Sequence, residues 1–232
     1  NAVSNAGDVD GDGLDDILVG AQRNDDGGSD AGKAYLILGA SLGSTSTINL
    51  SNADYSFVGE YSEDYAGFSV SSAGDVDGDG LDDILVGAWG NDDGGTDAGK
   101  VYLILGASLG GTSTIYLSNA DYSFVGENSG DEAGHGVSNA GDVDGDGLYD
   151  ILVGAWHNDD TYSDAGKAYL ILGASLGSTS TIDLSNADYS FMGENSSDEA
   201  GNAVSNAGDV DGDGLDDILV GAWRNDDGGN YA

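Results

Sequence analysis

The heptapeptide Gly-Asp-Val-Asp-Gly-Asp-Gly occurs four times, beginning at Gly7, Gly74, Gly141 and Gly208, always 67 residues apart. Self-similarity at a fixed period means an array of one structural unit rather than an irregular domain. The 232 residues divide into units 1–66, 67–133 and 134–200, with a half-unit at 201–232. Each heptapeptide opens a nine-residue stretch holding at least four carboxylates, and like charges so close oppose folding unless a cation joins them.

Four extended segments are predicted per unit. In the second unit they are Gly67 to Ala73, Asp83 to Trp89, Lys100 to Gly106 and Tyr122 to Glu127. Each is short, rich in Val, Ile, Leu and Tyr, and bounded by Gly, Asn, Asp or Ser, as strands are. The second and third are apolar at consecutive positions, the pattern of strands covered on both faces. No segment sustains a 3.6-residue apolar period; Ser51-Asn52-Ala53-Asp54 offers a single helical turn. The expected fold is therefore all-β, with four antiparallel strands per unit stacked radially as β-propeller-type blades. A linear solenoid is the competing architecture, but its coils usually span only 20–45 residues.

Three and a half blades do not close a ring, since propellers have about four to eight. The last unit ends after its second strand, at Gly221-Ala222-Trp223, and an unpaired edge there recruits a further strand. Self-association through this incomplete terminal blade is the expectation, in a dimer, a fibre or a longer repeat protein.

The charge is −38, from 43 acidic residues against five Lys and Arg. That excludes nucleic acid, whose phosphates need cationic side chains to displace their counterions. Hydrophobic residues make up 39% of the chain and fall in regular runs, which rules out a disordered acidic tail. No run approaches the roughly 18 apolar residues of a membrane helix, so membrane insertion is not expected. With no Cys and two His, thiolate and zinc sites are not expected either.

In the first unit the acidic loop reads Asp8-Val9-Asp10-Gly11-Asp12-Gly13-Leu14-Asp15-Asp16. Side chains at positions one, three and five converge when the backbone curls around a centre. Gly13 at position six permits the sharp turn, the Leu14 carbonyl adds an oxygen, and Asp16 at position nine closes the shell. Oxygen-only ligation of this kind suits Ca2+, which takes six to eight such ligands. The predicted metal ligands are thus Asp8, Asp10, Asp12, Leu14 and Asp16, then Asp75, Asp77, Asp79, Leu81 and Asp83. In the last two loops they are Asp142, Asp144, Asp146, Leu148 and Asp150, then Asp209, Asp211, Asp213, Leu215 and Asp217, giving four Ca2+ in all. Position eight is not expected to be a ligand, because Tyr149 occupies it in the third unit. An EF-hand shares the opening but needs a Glu at position twelve, where this chain has Val19, Val86, Val153 and Val220.

The second unit carries Asp64-Tyr65-Ala66-Gly67-Phe68-Ser69-Val70, the acidic loop from Asp75 to Asp83, and Val86-Gly87-Ala88-Trp89. In these elements the chain resembles the FG-GAP repeats of the integrin alpha-subunit head, a seven-bladed propeller. Ala66 stands where the family has the Phe of FG, and Trp89 (Gln22 in the first unit) where it has the Pro of GAP. Both departures lie outside the acidic loop, although they bear on any carry-over of integrin ligand recognition. The resemblance implies that the loop joins the first two strands of a blade and holds calcium.

Other repeated features have plainer readings. The stretch Asn24 to Asp30 reads as a solvated turn between strands two and three. Lys33, Lys100 and Lys167 are expected to pair with nearby carboxylates at the surface, where ion pairs contribute little. Trp89, Trp156 and Trp223 read as packing between blades, with an exposed stacking surface for carbohydrate as the alternative. His135 and His157 align with Phe68 and Gly90 and belong to no repeated site. Asn49-Leu50-Ser51 and Asn195-Ser196-Ser197 fit the N-glycosylation pattern, and Ser44-Thr45-Ser46-Thr47 offers hydroxyls for O-glycans.

No unique cluster of acid, base and nucleophile breaks the repeat, so no catalytic residue is assigned and the chain is not expected to be an enzyme. The expected function is a calcium-stabilised structural or adhesive module, extracellular or at the cell surface, with a protein or glycan ligand. Two alternatives stand beside it: a consensus repeat made by design, and a non-catalytic propeller attached to a hydrolase or lyase.

Overall fold

The computed structural model describes residues 2–43 and 46–226. Ser44 and Thr45, half of the Ser/Thr run, and residues 227–232, the tail of the half-unit, lie outside them. Strands account for nearly all regular structure. In the first unit these are β1 (Val3–Gly7), β2 (Asp16–Gly20), β3 (Lys33–Ile37) and β4 (Tyr55–Val58). The second holds β5 (Val70–Gly74), β6 (Asp83–Ala88), β7 (Lys100–Ile104), β8 (Thr114–Tyr116) and β9 (Tyr122–Val125). Next come β10 (Gly136–Gly141), β11 (Asp150–Ala155), β12 (Lys167–Ile171), β13 (Thr181–Asp183) and β14 (Tyr189–Met192). The chain closes with β15 (Ala200–Gly208) and β16 (Asp217–Ala222). Among the described residues there is no α-helix. The predicted helical turn is a single 3-10 turn at Leu50–Asn52, capped by the Asn49 side chain on the Ser51 N–H.

The four expected segments form an antiparallel meander in each complete unit. Within β6 and β7, Leu85 faces Leu103 and Val86 faces Tyr102. A β-bulge before Gly74 shifts the register as β5 enters the acidic loop, and β1, β10 and β15 do the same. Strand one of the second unit starts at Val70, later than expected, because Gly67 sits at φ +78, outside the extended region.

The outer edges of the first two sheets each carry a strand that the sequence did not predict. The short β8, from the second unit, pairs in parallel with β4 of the first, setting Ile115 opposite Phe57. Likewise β13 of the third unit pairs with β9 of the second, setting Ile182 opposite Phe124. Strand orders are β1-β2-β3-β4-β8, then β5-β6-β7-β9-β13, then β10-β11-β12-β14, and finally β15-β16. The first and second sheets are thus each latched by the unit that follows.

The sheets stack face on face, with their first strands side by side, as open propeller-type blades. One apolar core fills the space between the first two, including Leu18, Phe57, Ile84, Val86, Tyr102, Ile104 and Leu117. A second lies between the next two, around Leu85, Leu103, Phe124, Ile151, Val153, Tyr169 and Leu184. Hence β6 and β7 are buried on both faces, as their unbroken apolar runs predicted.

Candidate metal centre

Each acidic loop bridges the first two strands of its sheet, and its shape is set by carboxylates accepting backbone N–H groups. Asp8 accepts from Asp12 (3.0 Å) and Gly13 (2.9 Å), pinning the turn that Gly13 makes at φ +86. Position nine ties the loop to the sheet. Asp16 Oδ2 accepts from the Val9 N–H at 3.1 Å, and its Oδ1 from the Gly39 N–H, beyond β3, at 2.7 Å. Asp83 and Asp150 repeat this with Val76 and Gly106, and with Val143 and Gly173.

These links bring three carboxylates together in every loop. One oxygen each from Asp8, Asp10 and Asp16 lie within 4.8 Å of one another. Asp75, Asp77 and Asp83, then Asp142, Asp144 and Asp150, then Asp209, Asp211 and Asp217 do the same. Position five stands apart from the group. Asp12, Asp79, Asp146 and Asp213 instead accept the N–H of position seven, from Leu14, Leu81, Leu148 and Leu215, at 2.8–2.9 Å.

The electrostatics of the group are those of an uncompensated anion cluster. Asp16, Asp83 and Asp150 are buried. Burial pushes the Asp83 carboxyl up to about 7, against the two backbone N–H groups that pull it down, and raises Asp16 and Asp150 as well. None of the ion pairs among the described residues reaches these clusters. Three converging carboxylate oxygens, one of them buried in the first three loops, form a donor set that fits a hard divalent cation.

Position eight has a role that the sequence hid. Asp82 reaches the neighbouring blade, where its Oδ2 accepts the Asp8 N–H at 2.8 Å while its own N–H donates to the Asp8 carbonyl at 3.1 Å. Asp216 makes the same two-point contact with Asp142. Between the middle loops only the backbone half survives, from the Tyr149 N–H to the Asp75 carbonyl. At the two clasped junctions the approach is close: a Cβ on Gly7 or Gly141 would sit about 2 Å from the Asp82 or Asp216 carboxylate.

Elsewhere the plainer readings hold, with one correction. Asn24 and Asp25 accept the N–H groups of Asp26 and Asp30, which makes that stretch a self-bonded turn. The lysines, expected at the surface, are buried in two of three cases. Lys100 meets Asp93 at 2.7 Å and Glu60 of the preceding sheet at 3.2 Å, over the Tyr102 ring, and Lys167 repeats this with Asp160 and Glu127. The preceding blade covers them, a contact invisible in a local pattern. Trp89 stacks on Tyr65 at 4.7 Å, and Phe68, His135, Trp156 and His157 continue that ladder between blades, at the end of the strands away from the loops. Trp223 is largely exposed.

Residues 1–37 and 66–104 match the FG-GAP repeat family. The chain is 31% identical over 231 residues to Integrin alpha pat-2 of Caenorhabditis elegans, covering 94% of this chain and 17% of that protein. It is 31% identical over 161 residues to Integrin alpha-PS2 of Drosophila melanogaster, 67% of this chain and 11% of the fly protein. To Integrin alpha-V of Gallus gallus it is 27% identical over 224 residues, 94% of this chain and 19% of the relative. The chain thus spans less than a fifth of each.

Proposed function

The chain belongs among FG-GAP repeat proteins, and on that premise we propose that it is a calcium-stabilised, extracellular structural or adhesive module of a larger surface protein. One observation carries this reading: a cluster of three converging carboxylates recurs in all four loops, and none of the ion pairs among the described residues neutralises it. Bound Ca2+ supplies that neutralisation and holds the first two strands of each blade together. Its ligands are the position-one, -three, -five and -nine carboxylates and the position-seven carbonyl: Asp8, Asp10, Asp12, Leu14 and Asp16 in the first loop, and their equivalents in the others. The integrin alpha relatives support an adhesive setting and a protein ligand. The module itself is read as non-catalytic, since what differs among its units falls mainly at turns.

Calorimetric titration of metal-stripped protein with CaCl2 tests this directly. Four ions per chain are expected, and a flat titration with the chain still folded overturns the reading.

Self-association belongs to the same proposal. The outer edge of β16 has no strand partner among the described residues, and its Asp-Ile-Leu-Val-Gly-Ala is identical to β6 and β11, which pair there with β7 and β12. An open edge of this kind pairs with the matching edge of a second copy, and a monomer in sedimentation at high concentration with calcium rules it out.

A further inference from the structure

Asp82 immediately precedes β6 and Asp83 opens it, and their carboxylates serve different loops: Asp82 accepts the Asp8 N–H and Asp83 the Val76 N–H. Asp83 belongs to the carboxylate cluster of the second loop. Asp82 is bonded through both its carboxylate and its N–H to Asp8, the first residue of the first loop. Asp216 and Asp217 link the third and fourth loops in the same way. At the corresponding place between the second and third loops stand Tyr149 and Asp150. There the phenol ring lies over Gly74 and, among the described residues, no carboxylate reaches the Asp75 N–H; a Cβ on Gly74 would fall 2.2 Å from the ring.

From this alternation we infer that metal binding is coupled in two pairs, the first loop with the second and the third with the fourth, with Asp82 and Asp216 as positioning residues. The inference rests on the calcium reading above. An ion held by Asp83 fixes the start of β6 and so fixes Asp82. Asp82 in turn holds the backbone of Asp8, the residue whose carboxylate shapes the first loop. The ordering needed by the first site is then already met when the second is filled, which makes the coupling positive and reciprocal. Across the Tyr149 junction a single backbone hydrogen bond remains, and the coupling is weaker. The cluster carboxylates recur in every loop, so their repulsion alone would act on both sides of the second loop, whereas the Asp82 clasp is present on one side only. An asymmetry therefore separates the clasp from simple charge.

The four position-six amides, Gly13, Gly80, Gly147 and Gly214, report each loop separately in a nitrogen–proton NMR titration with CaCl2. In the wild-type chain Gly13 and Gly80 are expected to move together, as are Gly147 and Gly214. Disabling the second loop with Asp77→Asn should weaken calcium binding at the first loop by about fivefold or more and leave the third within about twofold. Asp82→Asn, which keeps an acceptor but removes the charge, should loosen the first pair while the spectrum stays dispersed. Tyr149→Asp installs the missing clasp, so that Asp77→Asn then weakens the third loop too. Equal effects of Asp77→Asn on the first and third loops, or none, overturn the pairing even when all four amides respond. Amides that ignore calcium altogether overturn the metal reading along with it.

Discussion

Position nine of each loop joins two jobs in one side chain. Asp83 accepts N–H groups from its own loop and from the residue beyond the third strand, and also belongs to the anion cluster. Asp83→Asn should therefore weaken calcium binding at its own loop by about tenfold or more, since affinity follows the count of ligand charges. Asp15→Asn, at an exposed position eight, should change stability by under about 0.5 kcal/mol; calorimetry and thermal melting check the pair. A carboxyl outside the loops adds its own part to the pH response. Asp64 is buried against Asn91 Nδ2 and the Tyr61 N–H, and burial pushes it up to about 6. A carboxyl raised in the folded state binds its proton more tightly there than in the unfolded chain. Its stabilising contribution is complete below about pH 4 and is lost as pH rises through 6. Asp64→Asn should flatten that part of the stability curve, by on the order of 2–3 kcal/mol between pH 4 and 7 in chelator.

Strand identity and strand burial part company in this fold. The sequence Asp-Ile-Leu-Val-Gly recurs in β2, β6, β11 and β16, yet β6 and β11 are wholly buried, β2 alternates, and β16 is half open. Leu18 has no exposure while Leu219 is 60% exposed. The difference lies in what stacks against each sheet. The meander of four strands and the acidic loops were legible because apolar runs, Gly boundaries and Asp spacing are local signals. β8 and β13 were not, since Thr114-Ile115-Tyr116 and Thr181-Ile182-Asp183 are three residues each amid Gly, Ser and Thr. Their extended form comes from β4 and β9, strands about 60 residues away in sequence. The buried lysines and the Asp82 clasp were hidden for the same reason, being contacts between units. Cost should follow neighbour rather than sequence. Phe124→Ala, in a closed core, should destabilise by about 3–5 kcal/mol. Phe191→Ala, at the equivalent but partly exposed place in β14, should cost well under half of that in denaturant unfolding.

Over the whole molecule the charge of −38 opposes compaction, and the four acidic loops hold 19 of the 43 acidic residues. Bound ions at 100 times their dissociation constant would each stabilise the fold by about 2.7 kcal/mol, so four approach the net stability of an ordinary domain. Chelation should lower the melting temperature steeply, and raising NaCl toward 1 M should restore part of the loss by screening the carboxylates. Unchanged melting in chelator would contradict this. The strands β8 and β13, lent backward to the sheet before, have a last consequence. The join between copies in the gene and the join between bodies in space fall at different places. A duplication or deletion of 67 residues therefore leaves every interior borrowing intact, whereas any other length orphans a lender or a borrower. Such an array grows and shrinks by whole steps, like a zip fastener that accepts only complete teeth.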